Sequence, residues 1–212
     1  MNRRSIILTT AAVAVAGFVL AGAMHRPQTQ VATGLVRPHS PVMGPANAPV
    51  TIVEFFDPAC ESCRAVYPFV KQLLAQYPNE VRLVLRYAPF HPGSSEAVRI
   101  IEASRLQDKF IPVLEALLRV QPLWADHGRP DIAKAWDAAG AAGLDLERAR
   151  KDATRSQFDE LLRLDVADLQ TFEIKATPTF FVNDKPLVIL GQRQLQDLVE
   201  EEVAAARKSG RK

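Results

Sequence analysis

Two cysteines separated by two residues, Cys60-Glu61-Ser62-Cys63, stand where a strand-like run gives way to a helical repeat. Val50 to Phe56 (Val-Thr-Ile-Val-Glu-Phe-Phe) is short, β-branched and aromatic, and nearly continuously apolar. Such a run suits a central strand covered on both faces. Asp57-Pro58 ends it. From Cys60 onward Val66, Phe69, Val70, Leu73 and Leu74 recur at helical spacing until Tyr77-Pro78-Asn79, with Pro68 predicting a kink. Val81 to Tyr87 is a second apolar strand. Strand, helix and strand in this short compass form a βαβ unit, whose two strands are parallel.

Residues 93 to 170 change character and read as helix throughout. Ser94 or Ser95 caps a first helix carrying Val98, Ile101 and Leu106. A second begins near Asp108, with Pro112 tolerated in its first turn. Pro130 and Asp131 open a third that Gly143 closes, Asp145 caps a fourth, and Leu161, Leu164 and Leu169 continue to Thr171. The stretch is too long for one crossover and predicts a helical subdomain, 93–170, inserted between two parts of a sheet domain, 48–92 and 171–207. In the second part Thr179 to Val182 is a strand, Asn183-Asp184-Lys185 a turn and Leu187 to Leu190 a returning strand. A last helix carries Leu195, Leu198, Val199 and Val203, and residues 208–212 read as a solvated basic tail.

The first 23 residues have the layout of an export signal: Arg3 and Arg4, an apolar run from Ile6 to Leu20, then Ala21-Gly22-Ala23. An uncleaved membrane anchor is the alternative for this segment. Residues 24–47 follow as a proline-rich arm or linker, holding Pro27, Pro38, Pro41 and Pro45. The formal charge is +2, and removing the signal takes away two of 26 basic residues and none of the 24 acidic ones. A mature chain near neutrality has no field to draw nucleic acid, so none is expected as a partner. A content of 48% hydrophobic and 24% charged residues is globular, and only two cysteines exclude a disulfide-stapled scaffold.

The chemistry therefore rests on that cysteine pair. A thiolate at a helix N-terminus faces unpaired backbone N–H groups and the positive end of the helix dipole, which lowers its pKa. Cys60, the more exposed, is expected to be the nucleophile and Cys63 the resolving thiol. A purely structural disulfide would gain little by closing so small a loop. A zinc site would need about four ligands, and His25, His39, His91 and His127 show no ligand spacing. Glu54, six residues before Cys60 in an apolar strand, reads as a buried proton relay for Cys63, or else as a strand-end carboxylate facing water. His91, between Pro89 and Pro92, either approaches the site or belongs to an ordinary loop; Trp124 and Trp136 read as packing residues.

Glu54-Phe55-Phe56-Asp57-Pro58-Ala59-Cys60-Glu61-Ser62-Cys63, taken with Ala176-Thr177-Pro178-Thr179-Phe180-Phe181-Val182-Asn183, resembles the DsbA-like thioredoxin-fold proteins over about residues 48 to 205. The resemblance implies an α/β thioredoxin fold, a central mixed sheet flanked by helices, with an inserted helical subdomain. It implies an extracytoplasmic thiol–disulfide oxidoreductase using Cys60, Cys63 and an acidic residue at Glu54. It also implies a cis Pro178 beside the cysteines, which frees Thr177 to hydrogen-bond an incoming peptide in β-like fashion. Taken alone, Pro178 could equally begin a strand. Thr177, Glu61 and Ser62 are the expected substrate-contacting positions.

One departure bears on the direction of electron flow. Strongly oxidising members carry Pro-His between the cysteines, whereas this chain has Glu61-Ser62. A carboxylate there should raise the Cys60 pKa and make the disulfide less oxidising. Thr177 before Pro178 is likewise a choice shared with isomerases and reductases. The expected function is a dithiol oxidase of exported proteins with free cysteines, monomeric, without a cofactor beyond the cysteine pair, and reoxidised by a membrane partner. The alternatives are a periplasmic reductase or isomerase for a restricted client and, more remotely, a non-catalytic envelope chaperone or metal-binding module.

Overall fold

In the computed structural model, which describes residues 34–210, the βαβ unit consists of β2 (Val50–Phe56), α1 (Glu61–Gln76) and β3 (Val81–Tyr87). The two strands are parallel, in register from Val50 opposite Val81 to Phe56 opposite Tyr87. All seven residues of β2 are buried, Thr51 and Glu54 included, in keeping with its nearly continuous apolar run. Alternate side chains go to opposite faces. Val50, Ile52 and Phe56 enter the main core with Cys60, Cys63 and Val70, while Val53 and Phe55 enter a smaller core on the other face. The helix runs through Pro68 without interruption.

Two short edges and a central neighbour complete a five-stranded mixed sheet. β1 (Val42–Met43) pairs antiparallel with β3, β4 (Thr179–Val182) antiparallel with β2, and β5 (Lys185–Pro186) antiparallel with β4. The order is β1-β3-β2-β4-β5. The returning strand expected at Leu187–Leu190 is thus found earlier and is shorter. Asn183, in the left-handed region at φ 54°, makes a tight turn that lets Val182 pair with Lys185 at once. Pro186 has no N–H to extend the ladder, and after Leu187 donates to the Phe180 carbonyl the chain leaves the sheet with Val188, Ile189 and Leu190 exposed.

The proline-rich arm is, from residue 34 onward, bound to the sheet. Arg86 of β3 is fully buried, and its guanidinium donates to the carbonyl oxygens of Gly34 and Leu35 at 2.6 and 2.7 Å. Leu35 itself is buried in the smaller core. The expected export signal, 1–23, the start of the arm at 24–33 and the last two residues of the tail lie outside the described residues.

The helical stretch contains α2 (Ser94–Arg105), α3 (Phe110–Arg119), the single turn α4 (Gln121–Trp124), α5 (Ile132–Ala141), α6 (Leu146–Asp152) and α7 (Ser156–Thr171). Asp145 caps α6 by accepting from the Arg148 N–H at 3.1 Å. Residues from these helices share one continuous core with the sheet and α1, so the insertion is not a separate body. α7 reaches furthest: Phe158, Leu161 and Leu162 join that core, whereas Leu169 covers the opposite face of the sheet. Trp124 is buried with its indole N–H donating to the Leu117 carbonyl, and Trp136 is buried beneath Arg150. α8 (Gln192–Ser209) closes the fold, extending as helix into the expected tail, and Arg207 holds Glu80 in a bidentate pair.

Candidate active site

Cys60 is the N-cap of α1, with extended backbone geometry and no side-chain cap. Helix N-termini leave backbone N–H groups without intrahelical partners. Those of Ser62 and Cys63 turn to the Cys60 sulfur. The two cysteines are unbridged thiols, Cys63 wholly buried and Cys60 5% exposed. The Cys60 thiol is pulled down to about 5, first by the hydrogen bond from Cys63, with Thr177 and the two backbone N–H groups adding to it and burial opposing. Cys63 is driven the other way, far above the ordinary thiol range, by burial first and then by its bond to Cys60. One sulfur is thereby an anion at neutral pH and its neighbour a thiol.

Pro178 is buried and its bond to Thr177 is cis. The Thr177 carbonyl oxygen lies 3.3 Å from the Cys60 sulfur, so the segment before β4 lies against the nucleophile. The Thr177 hydroxyl is buried beside that sulfur.

Glu54 does not face water. It is fully buried, and neither carboxylate oxygen has a hydrogen-bond partner. Burial, and then the charge on Cys60, raise its pKa to about 8. Its place in β2 puts it on the α1 side of the sheet, between Ile52 and Phe56, which both belong to the core holding the cysteines. Cys60, Cys63, Glu54, Thr177 and Pro178 are thus assembled in one place. Glu61 and Ser62 are exposed on the outer side of the helix turn.

Three further residues hold the turn, and sequence reasoning passed over them. Asp57, fully buried, accepts from the Ala59 N–H (2.9 Å), the Phe90 and His91 N–H groups (2.8 and 3.1 Å) and the Ser94 hydroxyl. His91 Nδ1 lies 2.7 Å from it, so His91 approaches the site through Asp57. The Asp-Pro turn was visible; the partners brought to it from beyond β3 were not. Gln121 of α4 donates to the carbonyls of Pro58 and Cys60 at 2.8 and 3.0 Å and accepts from Arg64 Nε. His127, between α4 and α5, has Nε2 3.1 Å from Glu61 Oε1. No local pattern marks either residue. A larger cavity of about 720 Å³, between α1 and α3 and lined by Tyr67, Lys71, Glu115 and Arg119, includes neither cysteine.

Residues 37–208 match a family model described as thioredoxin. A thioredoxin-like oxidoreductase from Silicibacter pomeroyi DSS-3 is similar at 31% identity and a TM-score of 0.69, over 87% of this chain and 99% of that one. Oxidised BdbD from Bacillus subtilis is similar at 25% identity and a TM-score of 0.69, over 78% of this chain and 94% of that one. Among curated proteins, the Na(+)/H(+) antiporter NhaA 1 of Mycolicibacterium gilvum (strain PYR-GCK) is 31% identical over 191 residues, 82% of this chain. That match takes in 30% of the antiporter, so the chain spans less than a third of the length of such relatives.

Proposed function

The chain belongs to the thioredoxin family, as a DsbA-like thioredoxin-fold thiol–disulfide oxidoreductase, and from that premise we propose that it is a dithiol oxidase of exported proteins. A substrate thiolate attacks Cys60 of the Cys60–Cys63 disulfide; the S–S bond breaks and its electron pair goes to Cys63. Glu54, protonated until about pH 8, supplies the proton that Cys63 takes up. A second substrate thiolate then attacks the substrate sulfur of the mixed disulfide, and Cys60 leaves as a thiolate. The substrate has lost two electrons and the pair has gained them. A membrane partner of higher potential is required to remove them again, and the electrons need no cofactor besides the pair. The Thr177 backbone beside Cys60 suits a β-like contact with an extended substrate.

The observation that carries this reading is the Cys60 sulfur, set as N-cap of α1 with donors from Cys63 and Ser62 turned to it. An interaction that favours the thiolate favours the reduced protein and makes its disulfide an oxidant. The Arg3-Arg4 and Ile6–Leu20 segment supports an extracytoplasmic location, where such chemistry operates. The reading that competes is a reductase or isomerase, favoured by the Glu61 carboxylate next to the nucleophile.

Equilibrating the purified chain against a glutathione redox series decides between them. A potential near that of strong oxidants, about −120 mV, is expected; one near about −270 mV would make it a reductase.

A further inference from the structure

Glu61, immediately after the nucleophile, puts a negative charge where a thiolate must form. The fold offsets it from a distant part of the chain. His127 Nε2 is 3.1 Å from Glu61 Oε1, and the His127 ring lies on the His91 ring with centroids 4.6 Å apart at 31°. His91 Nδ1 in turn is 2.7 Å from Asp57 Oδ2. Carboxylate, imidazole, imidazole and carboxylate therefore run in sequence from the cysteine turn to the end of β2. Asp57 fixes the inner ring, and that ring is the platform for the outer one. The insertion is fastened to the turn six residues before His127, where Gln121 bonds to the Pro58 and Cys60 carbonyls. Glu61 and His127 both line a cleft of about 440 Å³.

We propose that His127 is a positioning residue for the Cys60 thiolate: as an imidazolium it holds and neutralises the Glu61 carboxylate, and as a neutral ring it lets that charge act on the sulfur. The inference rests on Cys60–Cys63 being the exchanging pair. It replaces a cation between the cysteines with one lent by the helical insertion, and makes that cation pH-dependent. The other charged groups facing the rings are fixed in other ways. Arg64 is bonded to Gln121, Asp126 accepts from the Gly128 and Arg129 N–H groups, and Asp57 is held by backbone donors behind His91. An imidazole is the side chain whose charge ordinarily changes between about pH 5 and 8.

The test follows the glutathione equilibrium and the Cys60 thiolate absorbance from pH 4 to 8. It compares the unaltered chain with His127→Ala, His127→Lys, Glu61→Gln and the Glu61→Gln/His127→Ala double variant. His127→Ala should weaken the chain as an oxidant about fivefold at pH 6 and less than about twofold at pH 8, in keeping with an exposed ion pair. His127→Lys should restore the lost strength at pH 6 and keep it at pH 8. In the Glu61→Gln background, His127→Ala should change the equilibrium by less than about twofold, since the group it acts through is gone. A shift equal at both pH values, no shift, or failure of Lys to restore would overturn the proposal while leaving the exchange chemistry standing. An unaltered chain that never equilibrates with glutathione would remove that chemistry itself, and the proposal with it.

Discussion

Glu54 and Phe180 stand directly opposite each other across the β2–β4 ladder, two residues beyond Pro178. Opposed residues in an antiparallel pair share a face of the sheet, so the buried Phe180 lies beside a carboxyl group that has no hydrogen-bond partner. The strand that begins at the cis proline thus helps to keep the acid dry. The dryness is what raises its pKa, and the raised pKa leaves it a proton to give at neutral pH.

A raised pKa in the folded state has a fixed sign in stability. The stabilisation is complete below the ordinary value of 4.5 and is lost as pH rises through about 8. Glu54→Gln should abolish that slope. At pH 8 the variant should gain roughly 2–4 kcal/mol on the native protein relative to pH 4, each pH unit of the window being worth at most about 1.4 kcal/mol. Urea denaturation of the reduced form of both proteins at the two pH values measures it; parallel profiles for the two proteins would show that Glu54 is not the group responsible.

Trapping distinguishes the two thiols. With Cys63→Ser, a mixed disulfide formed at Cys60 has no internal thiol to release it, so substrate adducts should accumulate. Cys60→Ser leaves only a wholly buried sulfur whose thiolate is strongly disfavoured, and should trap nothing. The adducts can be counted on non-reducing gels with an unfolded client that carries a disulfide, whose S–S bond the Cys60 thiolate breaks, one client sulfur staying on Cys60 and the other leaving as a thiolate. Equal trapping by both variants would reverse the assignment of nucleophile.

What could be read from the sequence was local. The run Val50–Phe56, the helical spacing after Cys60 and the Asp145 cap each signal themselves within a few residues, and the βαβ unit follows from them. β5 escaped because two residues carry no periodicity, and the apolar Val188-Ile189-Leu190 imitated the strand that Lys185–Pro186 forms. That the arm is bound from residue 34 onward could not be read from its prolines: it depends on Arg86, a strand residue whose carboxylate partners lie some eighty positions away. Glu54 could be placed on a strand, but its dryness depends on Phe180 from the other end of the chain. His127 is a lone histidine in a loop, and only the packing of the insertion brings it to Glu61.

Arg86 offers a prediction of its own. It donates to Asp165 at 3.0 Å and Asp168 at 2.6 Å; Arg37 clamps the outer side of Asp168, and Asp165 also accepts from the Tyr87 N–H. The Arg37 and Arg86 guanidinium groups hold Asp168 below the usual carboxylate range. Removing one partner from a buried pair leaves a charge uncompensated, which costs about 3–5 kcal/mol. Asp165→Asn should destabilise the chain by roughly that amount, and limited proteolysis should then cut between residues 34 and 41. Cleavage elsewhere, with this segment still protected, would mean that Arg86 does not hold the arm.

The last prediction sets the reduced and oxidised forms against each other. In the reduced protein Cys60 is depressed to about 5, so its contribution is present above the ordinary thiol value of 9.0 and is lost as pH falls through about 5. Glu54 slopes the other way across an overlapping window, and the two partly cancel. In the disulfide form Cys60 does not titrate, and only the Glu54 slope remains. The reduced form should therefore gain on the oxidised form as pH rises from 4 to 7. The gain should be about 1–3 kcal/mol, each pH unit between the two thiol values being worth at most about 1.4 kcal/mol. Parallel denaturation series on both forms read this directly. A gap that stays flat or closes with rising pH would mean that the Cys60 thiolate is not stabilised by the fold, and the oxidase reading would lose its driving force.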